Sequence, residues 1–134
     1  AGGSSQSGVT PVDIGASGAN AAGPANVARI IYFDFDSYSI KPEFQSLIEA
    51  HSRFLKANPN RKVVIEGHTD ERGGREYNLA LGQRRSEAVR RSMGLLGVTD
   101  SQVEAVSFGK EKPAVQGSDE AAMAQNRRAE VSYR

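Results

Sequence analysis

Two periodicities take turns along this chain, and their alternation limits the fold more than any single residue does. The run "RIIYFDF", residues 29–35, is β-branched and aromatic and reads as a strand. Pro42 suits the first turn of a helix, and Phe44, Leu47, Ile48, His51 and Leu55 then recur at helical spacing on one apolar face. Asn58 and Pro59 end that helix. "KVVIEG", residues 62–67, is a short strand whose first half suits burial on both faces. A second helix is expected over Glu76–Leu96, closed by Gly97, and "VEAVSFG" is a third strand. "KEKPAVQGSDE" is a loop, with a short helical piece possible at Glu120–Gln125. In the closing "RAEVSYR", Ala129, Val131 and Tyr133 alternate with Arg128, Glu130, Ser132 and Arg134, the pattern of a half-exposed strand. The order βαβαββ predicts an α/β fold of the α+β sandwich kind, with helices packed on one face of a small mixed sheet.

Residues 1–28 are different material. Six of the 14 glycines lie there, and Asp13 is the only charge. Such a stretch buries too little apolar surface to offset its ordering entropy, so 1–28 is expected to be a flexible tether and 29–134 the folded domain. A tether of that length reaches about 30 Å on average. The full 134 residues suffice for one domain with a core. A net charge of +1 gives no preference for polyanions. No apolar run is long enough to span a bilayer, and the chain opens on small polar residues with no signal peptide. Cysteine is absent, which removes disulfides, thiolate metal sites and cysteine nucleophiles.

Two charges stand where apolar residues are expected. Leu81, Arg85, Ala88, Val89, Ser92, Met93 and Leu96 share one stripe of the second helix, while Arg84, Glu87, Arg90 and Arg91 point elsewhere. Arg85 therefore faces the core, and a buried guanidinium needs an acceptor. Asp70, directly after the second strand, is the nearest candidate, and Asn78 lies on Arg85's face two turns earlier. One reading is a structural salt bridge tying loop to helix. The other is a clamp for a zwitterion, with Asp70 taking an ammonium and Arg85 a carboxylate. Backbone N–H groups of the Glu71–Gly74 loop would add to the carboxylate side.

Other chemistries fit less well. Glu66, His68 and Asp70 alternate along a strand and suggest a metal-dependent hydrolase, since three ligands suffice for catalytic zinc. Only one of the three is a histidine, so no metal or other cofactor is expected. "ERGGR" lacks the lysine and Ser/Thr of a phosphate loop. The basic pairs in "GQRR" and "NRR" have no aromatic stacking partners nearby, so no nucleic-acid partner is expected. No serine has a convincing histidine–acid partnership by spacing, and an enzyme is not indicated.

The stretch "VVIEGHTDERGGREYNLALGQRRSEAV" resembles the signature of the OmpA-like peptidoglycan-binding domain family: Thr69-Asp70, Gly73, Asn78, Leu81 and Arg85 fit its pattern. The resemblance runs from about Ile30 to Arg134. "YFDFDSYSI", "FGKEKPAV" and "NRRAEV" are more similar to the lipid-anchored members than to porin-linked or flagellar-stator ones. The resemblance implies a non-catalytic binder of the cell-wall stem peptide at meso-diaminopimelate. Asp70 and Arg85 would hold the amino and carboxylate centre, Asp36 and Tyr38 would come from the loop after the first strand, and Arg72, Asn78 and Leu81 would line the rest. It further implies a periplasmic location at the outer membrane, anchored by an N-terminal lipid, and partnership with Tol proteins, notably TolB. The lipid-bearing cysteine of such members is not among these residues, and Ser86 stands where many members have alanine.

Overall fold

The computed structural model describes residues 23–134; of the expected tether over 1–28, residues 1–22 lie outside the described residues. Seven elements follow in order: β1 (Ile30–Tyr32), α1 (Gln45–Ala57), β2 (Val63–His68), α2 (Arg75–Leu95), β3 (Val103–Gly109), α3 (Glu120–Asn126) and β4 (Arg128–Tyr133). Pro42–Phe44 forms a 3-10 turn leading into α1, as a proline with fixed φ favours. The short helical piece expected near Glu120 is realised as α3, so a third helix separates the last two strands. Asp119 caps it by accepting a hydrogen bond from the Ala122 N–H at 3.1 Å.

The sheet order is β1-β4-β2-β3. The last strand thus inserts between the first two, antiparallel to both, while β2 and β3 run parallel. This mixed sheet carries the helices on one face. Ile31, Val63, Ile65, Val103, Ala129, Val131 and Tyr133 face them and form the core with Ile48, Leu55, Val89 and Met93. Val64 is buried as well, in keeping with the uninterrupted apolar start of β2.

One contact fixes how closely α2 lies on β2. A Cβ on Gly67 would fall 1.8 Å from the Gly82 carbonyl oxygen, so only glycine fits. That approach brings Leu81 and Arg85 to the end of β2, where the strand gives way to Thr69 and Asp70. At the opposite end of the sheet, residues assigned to the tether touch the domain. The Ala28 carbonyl bonds His51 Nε2 at 2.8 Å, and Gly23 packs against the Tyr133 ring. His51 Nδ1 is 2.6 Å from the Tyr133 hydroxyl, and burial lowers the imidazole's proton affinity.

Candidate functional site

The end of β2, the following loop, the first turns of α2 and the loop after β1 enclose a cavity of about 240 Å³. It is lined by Phe35, Asp36, Thr69, Asp70, Arg72, Gly73, Tyr77, Asn78, Leu81 and Arg85. Of the seven residues expected to contact a ligand, Asp36, Asp70, Arg72, Asn78, Leu81 and Arg85 are in this lining. Tyr38 is not: it stands half exposed beside the cavity, with the Arg84 guanidinium 5.8 Å from its ring centroid.

Arg85 is buried, at 0% relative exposure, where it borders the cavity. Its Nε donates to Ser37 O at 2.8 Å, Nη1 to His68 O at 2.9 Å and Nη2 to Asp34 O at 3.1 Å. Two loops and a strand end are thereby tied to one side chain. The guanidinium also lies 5.3 Å from the Phe33 ring centroid. Among the described residues no carboxylate is in ion-pair contact with it. Burial lowers its pKa to about 10, against the opposing pull of the Asp70 charge. The three bonds leave one N–H on each terminal nitrogen.

The direct Asp70–Arg85 ion pair, one of the two readings of the sequence, is not formed. Asp70 is instead gripped by two other arginines. Its Oδ1 accepts from the Arg72 N–H at 3.0 Å and from Arg72 Nε at 3.4 Å. Its Oδ2 accepts from Arg72 Nη2 at 2.8 Å and from Arg127 Nη1 at 3.4 Å. Burial raises the carboxyl's pKa, but the bonds from Arg72 and Arg127 outweigh it and leave the group more acidic than an ordinary aspartate. Arg127 is a site residue that sequence reasoning misses. It sits just before β4, bonded also to Phe33 O at 3.0 Å and to Glu120 Oε2 at 2.9 Å. Only strand insertion brings it to a residue 57 positions earlier.

The remaining wall is built from the loops. Asn78 is buried and donates to Arg72 O at 2.8 Å, which fixes the loop that carries Arg72. Lys110 Nζ donates to Gly73 O at 2.8 Å from the other side, and Gly73 adopts φ +92°. Arg72 is 41% exposed and lies over Phe35, 3.9 Å from the ring centroid. The Tyr77 hydroxyl donates to the Asp36 carboxylate, and Asp36 holds φ +55°. The lining thus combines exposed aromatic surface with two carboxylates and two guanidinia.

The metal-dependent trio of Glu66, His68 and Asp70 is not brought together. Glu66 and His68 project from the sheet face opposite the helices, whereas Asp70 turns into the cavity. The loop bend after His68 breaks the alternation on which the trio depends. The histidine and Glu66 are joined instead by Glu130 of the neighbouring strand.

Comparison with known proteins gives a consistent result. The pattern that defines the OmpA family matches residues 32–127. The peptidoglycan-associated lipoprotein of Pasteurella multocida is 54% identical over 103 residues, which cover 77% of this chain and 69% of that protein. That of Pseudomonas putida is 54% identical over 100 residues, covering 75% of this chain and 60% of that protein. The chain therefore spans between 60% and 69% of these two relatives' lengths. The crystal structure of the peptidoglycan-associated lipoprotein from Burkholderia pseudomallei superposes with a TM-score of 0.79 at 59% identity, covering 79% of this chain and 90% of that one. The C-terminal domain of Helicobacter pylori MotB, at 17% identity, has a TM-score of 0.73 over 81% of this chain and 85% of its own, a likeness of fold alone.

Proposed function

The chain belongs to the OmpA family, in the group of the peptidoglycan-associated lipoproteins, and from that premise we propose that it binds peptidoglycan without catalysis, linking the envelope to the cell wall. The finer reading is that the cavity takes the meso-diaminopimelate end of a stem peptide. The observation that carries it is the state of Arg85, a fully buried cation held by three carbonyls with no carboxylate in contact. A ligand carboxylate reaching its two remaining N–H groups would supply the missing countercharge. The ligand ammonium would meet the Asp70 carboxylate across the same cavity, taking the place that the Arg72 side chain now fills. Phe35 and Tyr77 offer apolar surface for the aliphatic stem.

The experiment is a titration of the protein with matched stem peptides ending in diaminopimelate, amidated diaminopimelate or lysine. A lysine peptide lacks the carboxylate and leaves Arg85 without its countercharge. Losing a buried charge partner costs on the order of 2–5 kcal/mol, about 30-fold or more in affinity. Equal affinity for the three peptides would overturn the zwitterion reading.

We place the parent protein at the periplasmic face of the outer membrane, held by an N-terminal lipid; that the relatives are named lipoproteins supports the lipid. TolB, and with it other Tol proteins, is the protein partner in this reading, on a surface overlapping the cavity mouth. Stem peptide should then displace TolB from the purified chain; simultaneous binding of both would refute the overlap. Among the described residues no helix is long and apolar enough to cross a membrane.

A further inference from the structure

The sheet face away from the helices carries a cluster that peptide binding does not use. Glu66 of β2 and Glu130 of β4 are direct partners in the antiparallel register. Like charges set opposite each other on paired strands repel; Arg128 answers Glu130 with an ion pair, while the one ion-pair approach of Glu66 among the described residues is to the His68 ring. His68, two residues after Glu66, points from the same face and is 2% exposed. Its ring stacks on Phe108, with centroids 5.5 Å apart. Both ring nitrogens are sealed from solvent, and neither has a hydrogen-bond partner. A buried imidazole with two unsatisfied nitrogens is costly and asks for a ligand. Its Nε2 is 3.9 Å from Glu66 Oε1, and one donor atom from each of Glu66, His68 and Glu130 lies within 4.8 Å of the others.

We propose that Glu66, His68 and Glu130 form a binding site for one divalent cation of the zinc type, bridging β2 and β4 on the open face of the sheet. Imidazole nitrogen and carboxylate oxygen are both zinc ligands, and three protein ligands can leave a fourth position open; a set with a single histidine is weak by composition, and what favours this one is the buried, unpartnered His68 ring. Zinc bonds of about 2.0–2.2 Å bring neighbouring donor atoms to about 3.3 Å apart, so the cluster needs to close by roughly an ångström or so. Glu66 and Glu130 are both partly exposed and can do this by changing rotamer. Arg128 now bonds one oxygen of Glu130, which leaves the other carboxylate oxygen for the metal. The ring's burial disfavours its charged form, so its unpartnered nitrogens meet the site as those of a neutral imidazole can. The chain's other histidine does not compete, because both ring nitrogens of His51 already have partners.

The test titrates the protein with zinc chloride, following heat by calorimetry and the two imidazole rings by NMR. The expected result is one zinc per chain, with the ring signals of His68 shifting and those of His51 staying in place. Glu66→Gln and Glu130→Gln each remove a ligand carboxylate's charge while relieving the carboxylate repulsion; Glu130→Gln also takes the ion partner from Arg128, so its unfolding midpoint is read alongside, and Glu66→Gln carries the test if that variant fails to fold. Each should lose about tenfold or more in zinc affinity. His68→Gln should abolish the site, and it keeps the His68 carbonyl that Arg85 needs. Absence of stoichiometric uptake, uptake of undiminished strength in both glutamine variants, or shifts at His51 instead of His68 would each overturn the proposal. Stem-peptide titrations do not enter this test, so its outcome is separate from that of the cavity reading.

Discussion

The two walls of the cavity are built on different principles. On the inner side of α2, Arg85, Asn78 and Leu81 are buried; Arg85 is bonded to segments far apart in sequence, and Asn78 holds the loop just before its own helix. On the outer side, Phe35 and Arg72 of the loops and Tyr77 of the first turn of α2 are substantially exposed, and their side chains contact Asp36, Asp70 and one another. One wall is part of the fold; the other is free to rearrange. Asp70 stands between them, buried like the first wall yet paired mainly with the second. A pocket made this way is preorganised where it meets a charge it cannot move, and adaptable where ligand must enter.

If this contrast is right, Arg85→Ala does most harm, and does it to the fold. It leaves the carbonyls of Asp34, Ser37 and His68 without their donor and opens a cavity against Phe33. The expected loss is about 3–5 kcal/mol of stability, read from urea unfolding. Arg85→Lys should fall in the same direction, because one ammonium cannot reach three divergent carbonyls. A variant that unfolds at the wild-type midpoint while losing peptide binding would make Arg85 a ligand group only, and the contrast would collapse.

Gly67→Ala tests the same wall from behind. The new methyl meets the Gly82 carbonyl and must push α2 off β2, carrying Leu81 and Arg85 with it. Overpacking of this kind costs about 1–3 kcal/mol. Peptide affinity should fall together with the unfolding midpoint. Retained affinity in a destabilised variant would show that the wall's position matters less than its composition.

Asp70 gives a smaller, pH-dependent effect. Its folded-state carboxyl is more acidic than in the unfolded chain, so the folded state binds fewer protons there. The stabilisation is complete above the unfolded pKa, near 4, and is lost as pH falls through the lower folded value. Solvent screening of the exposed Arg72 partner keeps the effect modest. Wild type and Asp70→Asn should therefore differ at neutral pH and converge in acid. A gap that persists in strong acid, once the carboxyl is protonated in both the folded and the unfolded state, would mean that the variant's defect is packing and not charge.

Much of this architecture is written locally in the chain. Strand and helix follow from periodicity, and Arg85 declares itself because a charge on an otherwise apolar stripe breaks a pattern that a single helix carries. What periodicity cannot carry is pairing between distant segments. The insertion of β4 between β1 and β2 brings Arg127 to Asp70 and Glu130 to Glu66. Neither partner is marked by any local irregularity, since an arginine and a glutamate near the start of a half-exposed strand look like solvated residues. Strand alternation likewise puts Asp70 on the face of His68, and it fails there because the chain leaves the sheet after His68. Tyr38 stands outside the lining, two residues past the turn at Asp36 with its positive φ, and no local pattern in the sequence marks that turn. The resemblance to a family supplies site residues that local patterns cannot, yet it does not distinguish the residues that build the pocket from those that open it.

The smallest expected effect on the fold comes from Arg72, and it sharpens the contrast most. Arg72 makes three of the bonds to the Asp70 carboxylate, one of them from its own backbone N–H. Arg72→Ala keeps that backbone bond and keeps Arg127 at Oδ2, so Asp70 is not left unpaired. The side chain is 41% exposed, and its removal should leave the unfolding midpoint nearly unchanged. Its effect on binding decides what the loop wall does. If the Arg72 guanidinium holds the place of a ligand ammonium, binding must first break its two side-chain bonds to Asp70, and the variant skips that step. Affinity for a diaminopimelate stem peptide should then rise, by about two- to fivefold, because an exposed ion pair contributes little in water. The association rate should account for most of the gain, since the bond that is removed acts before the ligand is seated. A loss of affinity of about tenfold would show the opposite: Arg72 would be a direct ligand contact, and the loop wall would be held to one geometry as firmly as the helix wall is.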